Sequence, residues 1–283
     1  MVSQSVSIGL TKDIFTQPLT YALEQQSVAA GIWGSKPCTI RYNSLAENAQ
    51  LLATGEVDIA LISPIDYAKN SMEWELIPGL GIASYGVTGA AKLLFREGLN
   101  QISTIAADLR FPTEMVVSQL IFLEKTGGKP QFVTHGVQPG IIPEDSDAVL
   151  LVGDAALPVK TIQECVFDIA EEWNDIAEVP LVHALFACKR DSISPTTAAI
   201  LLQSHIYYAE NKDTIIRDLS TSRGIDYERL YVHLNEELRY TLDDLDIDGI
   251  KELFRHCFFH KMLDEIPDLV FFRPASEDHL RMN

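Results

Sequence analysis

The sequence has few basic residues, no long apolar run and no closely spaced cysteines. Lys and Arg together number 22 against 40 Asp and Glu, so the formal net charge is −18. A field of this sign repels phosphate backbones and anionic lipid, so we expect no nucleic-acid partner and no membrane partner. A local cleft can still oppose the global charge and hold a small anion. Because no stretch of about 20 apolar residues is present, we also predict no membrane-spanning helix.

The four cysteines, Cys38, Cys165, Cys188 and Cys257, lie far apart and form no CxxC motif. In apolar surroundings this spacing favours free buried thiols in a reducing compartment over a disulfide framework. The N-terminal residues lack a basic region followed by an apolar one, so we expect no secretory signal. These observations predict a cytoplasmic protein and leave its oligomeric state open.

Motifs for nucleotide and metal chemistry are also missing. Gly79 and Gly81 lack the third glycine of a dinucleotide fingerprint, and a β-like run follows them where a helix should begin. His256 and His260 are four residues apart, a spacing that metal ligands on a helix can have, but no third ligand accompanies them in the sequence. We interpret them as half-exposed histidines beside an aromatic helix face, and we predict no cofactor and no metal.

What the sequence does have is a regular alternation of short β-rich runs and amphipathic helical runs over its first 190 residues. Strand, helix and strand at this spacing predict βαβ units and a parallel sheet, and therefore an α/β fold. The remainder reads as helical and begins with a long helix, with Ser194 as N-cap and Pro195 in the first turn. At 283 residues the chain is long enough for two domains.

Two segments interrupt the alternation. Leu76–Thr88 is too long and glycine-rich for one simple strand, and it suits a strand that crosses between two lobes. Leu181–Lys189 is an apolar β-like run just before the helical section. We predict that residues 88–182 form an inserted second lobe, that residues 1–87 and 183–283 form the first, and that a ligand binds in the cleft between them.

The junctions between strands and helices supply the candidate binding groups. A helix N-terminus favours anions through its free N–H groups and its dipole, and ligands in open α/β sheets sit at the carboxyl ends of strands. Plain helix capping is the alternative interpretation of each junction. The candidates at these junctions are Thr11, Ser44, Ser63, Arg110 and Thr113, with Asp154 at the end of a further strand.

An ordered series of stretches resembles the chorismate dehydratase family of the futalosine route to menaquinone. The series covers nearly the whole chain with the expected spacing: TGEVDIALISPIDYAKN (54–70), LIPGLGIASYGVTGAAKLLF (76–95), VLLVGDAAL (149–157), FDIAEEWNDIAEVPLVHALFA (167–187) and IDGIKELFRHCFFHKMLDEIPDLVF (247–271). The resemblance implies a two-lobed periplasmic-binding-protein-like fold of type II with a helical C-terminal section. It also implies a ligand between the lobes and a lyase that removes water from chorismate or a related acid.

Combined with the junctions, the resemblance assigns roles to eight residues. Asp154 and Thr88 are the candidate catalytic residues, and the candidate ligand-binding residues are Thr11, Ser44, Ser63, Tyr85, Arg110 and Thr113. The expected ligand is a small anionic or aromatic carboxylate.

The pocket motifs differ from the family pattern at three places. The entrance to the second-lobe helix, residues 110–114, keeps only Thr113 of the serines and threonines that the resemblance leads us to expect. Phe15 stands where the resemblance leads us to expect an asparagine, and Gly89-Ala90 stand where a Ser-Val pair is usual. Two hypotheses follow: a chorismate dehydratase-like carbon–oxygen lyase, or a non-catalytic protein of the same fold that binds a small anion or aromatic acid. A third, a solute receptor for a transporter, is disfavoured by the missing secretory signal.

Overall fold

The computed structural model describes residues 5–25, 29, 31, 38–99, 101–159 and 165–273 of the chain. These residues form strands that fall into two separate sheets, with helices packed around them. The strands are β1 Val6–Leu10, β2 Cys38–Tyr42, β3 Ile59–Ile62, β4 Trp74–Ser84, β5 Ala91–Phe95, β6 Thr104–Ala107, β7 Gln131–Thr134, β8 Ala148–Val152, β9 Val166–Asp168, β10 Leu181–Lys189 and β11 Leu238–Thr241.

The helices of the described residues mostly follow strands, as the alternation predicts. They are α1 Gln17–Glu24, α2 Leu45–Thr54, α3 Pro64–Asn70, α4 Pro112–Thr126, α5 Ile169–Ala177, α6 Pro195–Arg223, α7 Tyr227–Val232 and α8 Asp244–Phe259. Single turns of 3₁₀ helix cover Ile14–Thr16 and Gly153–Ala155, and a π-helical turn covers His233–Glu237. None of the helices described is long and apolar enough to cross a membrane.

The first sheet has six strands in the order β11-β4-β10-β3-β1-β2. Strands β2 and β3 lie parallel to β1, as βαβ units require, whereas β10 runs antiparallel to both β3 and β4. The central strand Ile59–Ile62 is apolar and fully buried on both faces, which is typical of a strand covered by helices. Because β1, β2 and β3 are parallel, their carboxyl ends meet at one edge of the sheet.

The second sheet has five strands in the order β7-β6-β8-β5-β9. Strand β6 is parallel to β7 and β8, and β5 is antiparallel to β8 and β9. All five strands lie between residues 91 and 168, inside the segment predicted to form the second lobe. The boundaries at residues 88 and 182 stay a prediction.

The C-terminal section is mainly helical and begins as predicted. Ser194 accepts a hydrogen bond from the backbone N–H of Thr197, and Pro195 opens the 29-residue helix α6. This helix packs along α1, where the Ser204 hydroxyl donates to the carbonyl oxygen of Leu19 at 2.7 Å. An apolar cluster that includes Ile216 and Leu230 holds α6 and α7 together.

The structure differs from the sequence-based prediction in three parts of the chain. Within the section predicted to be helical, residues 238–241 pair antiparallel with β4 as strand β11, directly after the π-helical turn that follows α7. Strand β9 and helix α5 have no counterpart among the predicted elements. Leu76–Thr88 does not cross between sheets as one strand: β4 stays in the first sheet and ends at Ser84.

Candidate functional site

Three of the predicted ligand-binding residues lie at the same edge of the first sheet. Thr11 follows β1, Ser44 follows β2 and Ser63 follows β3, and the parallel pairing of these strands brings their carboxyl ends together. Thr11 and Ser63 are buried, and Ser44 is partly exposed. The structure therefore groups these three residues as the junction argument expects.

Their hydroxyl groups are engaged in local hydrogen bonds. Ser44 forms a reciprocal capping box with Glu47 at the start of α2. Ser63 accepts from the backbone N–H of Asp66 at 3.0 Å and donates to the Asp66 carboxylate at 2.7 Å. Thr11 donates to the Asp13 carboxylate at 2.9 Å. Helix capping and turn formation, the alternative interpretation of these junctions, thus account for all three hydroxyls.

The segment after β1 lies directly against the segment after β8, which belongs to the second sheet. The backbone N–H of Ile14 donates to Asp154 Oδ1 at 2.7 Å. The ring of Phe15 is buried and lies so close to Gly153 that a Cβ placed there would be 2.8 Å from Phe15 Cε1. Phe15 also packs on Phe111, with ring centroids 6.4 Å apart. Phe15 therefore fills space at the junction of the two sheets.

A small charged cluster surrounds this contact. Arg110 is about half exposed and pairs with its neighbour Asp108 at 2.7 Å, and its guanidinium stacks over the Phe111 ring. Burial raises the pKa of Asp13, and the nearby Asp154 raises it further, whereas Arg110 acts in the opposite direction. Asp154 itself pairs with Arg223 at 3.4 Å. Two predicted residues, Arg110 and Asp154, therefore face the same acidic group.

The start of helix α4 presents unpaired polar groups. Its N-cap residue, Phe111, has no side chain that can cap, and Pro112 opens the first turn. Thr113 is fully buried, and its hydroxyl has no hydrogen-bond partner in the part of the chain that the structure describes. A helix N-terminus with a free hydroxyl is a suitable place for an anionic group. Thr113 therefore remains a candidate ligand-binding residue.

A turn over residues 85–90 connects the first sheet to the second. Asp168 organises it, because its carboxylate accepts from the backbone N–H of Thr88 at 3.2 Å and of Gly89 at 2.6 Å. The Ala90 carbonyl accepts from the N–H of Gly153 at 2.9 Å, which places the turn beside the Phe15 contact. Thr88 is buried in the turn, while Tyr85 is 54% exposed.

A cavity of about 840 Å³ opens between this turn and the C-terminal helices. Its lining includes Val87 and Lys92 from the second-sheet region and the segment from Gly224 to Glu237 around α7. Cavities of this size hold small-molecule ligands. The eight predicted site residues are not among the described residues that line it.

Two cations that line the cavity, Lys92 and Arg229, both approach Gly89 in the turn. A Cβ built on Gly89, which has a left-handed φ of +67°, would lie 3.0 Å from Arg229 Nη2 and 3.3 Å from Lys92 Nζ. Arg229 forms a bidentate pair with Glu237, with both distances 2.9 Å. Lys92 is buried and donates to the carbonyl oxygens of Ala156 and Val159.

The electrostatics of this pair favour an anion. Burial lowers the pKa of Lys92, and the positive charge of Arg229 lowers it further, while Asp168 acts in the opposite direction. A carboxylate placed between the two cations would remove their repulsion and replace the water that Lys92 has lost. Gly89 allows the two cationic nitrogens to approach the turn closely, because any side chain at this position would press against them.

A second polar feature is a buried chain of three side chains from three elements. Ser84 Oγ, at the end of β4, lies 2.7 Å from His183 Nε2 on β10. His183 Nδ1 lies 2.8 Å from Glu114 Oε1 on α4. With Glu114 ionised, Nδ1 carries the hydrogen and Nε2 accepts from the serine hydroxyl. The second oxygen of Glu114 is buried and has no partner among the described residues.

The sequence-based reasoning missed Lys92, Arg229 and this buried chain. The sequence did carry a signal for Ser84 and His183. Both interrupt runs that are otherwise apolar, and polar residues in such runs are informative. Lys92 likewise sits in the apolar strand Ala91–Phe95. Nothing in the sequence indicates that Glu114 contacts His183 or that Arg229 lies near Lys92.

Comparison with known proteins decides the family. A sequence profile described as menaquinone biosynthesis matches residues 6–258. The chain belongs to this menaquinone-biosynthesis family. The predicted resemblance is confirmed by a relative as well: the chorismate dehydratase of Thermus thermophilus is 23% identical over 224 residues, which cover 73% of this chain and 82% of that enzyme.

Solved structures with the same architecture place this family member in the periplasmic-binding-protein-like fold. A protein from Archaeoglobus fulgidus matches with a TM-score of 0.70 at 18% identity, covering 93% of this chain and all of that one. The periplasmic aliphatic sulphonate binding protein of Escherichia coli matches with a TM-score of 0.63 at 11% identity, covering 99% and 95%. The two-lobed α/β fold expected from the sequence is confirmed.

Proposed function

We propose that the chain is a carbon–oxygen lyase of the chorismate dehydratase type, which takes a small carboxylic acid into the cavity between its lobes. Family membership and the likeness to the Thermus enzyme support the reaction class. The observation that carries the proposed site is the presence of two neighbouring cations, Lys92 and Arg229, in the cavity lining. A cytoplasmic location belongs to the same proposal, supported by four free cysteine thiols.

Dehydration of chorismate sets the requirements for the site. A C–H bond and the C–O bond on the neighbouring ring carbon break, a C=C bond forms and makes the ring aromatic, and one water leaves. The protein must hold the carboxylates, accept the proton and supply a proton to the departing hydroxyl. In this proposal one substrate carboxylate lies between Lys92 and Arg229, where charge-assisted hydrogen bonds orient it.

Ser84, His183 and Glu114 are the proposed proton acceptor. In this arrangement Ser84 Oγ takes the C–H proton of the substrate while its own proton passes to His183 Nε2, and Glu114 stabilises the imidazolium that forms. The imidazolium then gives that proton, through Ser84, to the departing hydroxyl, which leaves as water. Ser84 lies three residues before Val87, which lines the cavity, so the serine is near the cavity along the chain. Opening of the lobes around the turn over 85–90 is the proposed route by which the substrate reaches this buried serine.

We expect turnover to be slower than in relatives that keep the usual pocket motif. Phe15 is apolar and can donate no hydrogen bond to a leaving hydroxyl, and its buried ring packs against Gly153 and Phe111. Losing one preorganised donor at a reacting centre lowers the rate by roughly 100- to 1000-fold. The Thermus enzyme, assayed side by side, provides the reference rate.

The assay follows loss of chorismate and appearance of the enolpyruvyl benzoate product by mass spectrometry. Arg229→Ala should raise KM, because it removes a carboxylate contact, whereas His183→Gln should lower kcat with little change in KM. Arg41→Ala is the matched control, since Arg41 also pairs with a glutamate, at 3.0 Å from Glu56, but does not line the cavity. Unchanged kinetics in Arg229→Ala would remove the cavity from the proposal.

A second candidate function is binding without chemistry, and the packing of Phe15 favours it. The ring occupies the place where the resemblance calls for asparagine and lies against Gly153 and Phe111. Calorimetry with chorismate distinguishes the two functions. Tight binding that depends on Arg229, with no product formed over hours, would support a binding protein. Product formation abolished by His183→Gln would support the lyase.

A further inference from the structure

We infer that Glu124, His256 and His260 form a binding site for a divalent transition-metal ion of the zinc class, on the outside of the molecule and away from the proposed cavity. The three residues come from two helices. Glu124 lies on α4, His256 lies on α8, and His260 follows α8 directly. One ligand atom from each lies within 4.8 Å of the others.

The distances around Glu124 fit a shared cation. Its Oε1 is 3.3 Å from His256 Nδ1 and 2.7 Å from His260 Nε2. Zinc binds imidazole nitrogen and carboxylate oxygen at about 2.0–2.2 Å in a tetrahedral arrangement, so its ligand atoms stand about 3.2–3.6 Å apart. A small outward shift of His260 therefore makes room for the ion. Two neutral imidazoles and one carboxylate, with water in the fourth position, complete the coordination.

A carboxylate and an aromatic ring lie against the ring of His256. Its other nitrogen, Nε2, lies 3.5 Å from Glu252 Oε1, and the second oxygen of Glu252 is engaged by Arg255 at 2.6 Å. Trp173 packs edge-on against the ring with centroids 5.2 Å apart. Histidines that bind metals usually give their other N–H to a carboxylate, and Glu252 is the carboxylate nearest to His256 Nε2 for that role.

The sequence shows only the pair of histidines four residues apart, and the missing third ligand argued against a metal. The structure supplies that ligand from a position more than 130 residues earlier in the chain, on α4. Because α4 follows a strand of the second sheet and α8 follows a strand of the first, an ion bound here joins the two parts of the molecule. We therefore expect the ion to raise the thermal midpoint of unfolding.

The test is a zinc titration of the untagged full chain after removal of metals by a chelator. We expect one Zn²⁺ per chain by calorimetry, a higher thermal midpoint with Zn²⁺, and no such rise with Mg²⁺, which prefers oxygen ligands. Glu124→Gln and His260→Gln should lose this binding, and Glu252→Gln should weaken it by about 10- to 100-fold.

His135→Gln is the matched control, because His135 also pairs with a carboxylate, at 3.2 Å from Asp145, but lies outside the cluster. It should bind zinc like the wild type. Circular dichroism without metal establishes that each variant is folded. Equal zinc affinity in the wild type, Glu124→Gln and His260→Gln, or no zinc binding by the wild type, would overturn the inference.

Discussion

Replacing Gly153 with alanine probes the contact on which the role of Phe15 depends. Gly153 has a φ of +59°, and a Cβ built on it would lie 2.8 and 2.9 Å from two ring atoms of Phe15. The left-handed backbone costs an alanine about 1–2 kcal/mol. Displacing a buried ring costs a further ~1–3 kcal/mol, the range for overpacked cores. We expect the free energy of unfolding to fall by about 2–5 kcal/mol.

Gly127 separates the two contributions. It has a φ of +68° at the end of α4, and no atom lies within 4 Å of the Cβ position. Gly127→Ala should therefore show only the backbone cost, about 1–2 kcal/mol. In a Phe15→Leu background, where the ring is gone, Gly153→Ala should cost about as much as Gly127→Ala.

Equilibrium unfolding in urea, followed by circular dichroism, measures all four variants and their parent. The decisive quantity is the difference between Gly153→Ala and Gly127→Ala with Phe15 present. If the two substitutions lowered the free energy of unfolding equally, the Phe15 ring would not lie against Gly153. The argument that Phe15 closes the junction between the lobes would then fail.

Three further predictions use the same unfolding assay. Thr113→Val removes a buried hydroxyl without a partner, so the free energy of unfolding should stay level or rise by about 1 kcal/mol, and a clear loss would refute this. Ser84→Ala leaves His183 Nε2 unpaired and should cost about 1–3 kcal/mol, whereas no loss would argue against the buried chain. Asp13→Asn removes a group whose pKa is raised by burial and by Asp154. Ionisation of such a group lowers the free energy of unfolding above its folded pKa. Asp13→Asn should therefore be more stable than the wild type near neutral pH, and this advantage should disappear towards about pH 4. A difference in stability that does not change with pH would contradict the reasoning.

The two cations in the cavity lining, Lys92 and Arg229, also bear on how an acidic protein binds an acid. The chain carries a formal charge of −18, so its overall field repels a carboxylate. Lys92 and Arg229 supply positive charge inside the cavity, where Asp226, Glu228 and Glu237 also lie. Low-dielectric walls strengthen the effect of the two cations at short range. Affinity for chorismate should therefore rise with added salt at low ionic strength, where screening first removes the repulsion at long range.

Local interactions are the part of the structure that the sequence predicted well. Ser44, Ser63 and Ser194 cap helices as expected, because an N-cap hydrogen bond joins residues two or three positions apart and its signature is local. Most strands of both sheets were also predictable, with β9 and β11 as exceptions, since apolar β-rich runs between turn signals specify strands. The family resemblance rests on the same local stretches in their order.

Contacts between residues far apart in the sequence are the part that only the tertiary structure decided. Residues 238–241 become a strand because β4 offers an edge to pair with, not because of their own pattern. Ser84, His183 and Glu114 meet because the ends of β4 and β10 pack under α4, and Glu124 reaches His260 because α4 lies beside α8. Such contacts join residues about 70 to 140 positions apart, where no periodicity or spacing carries information about which faces pack together.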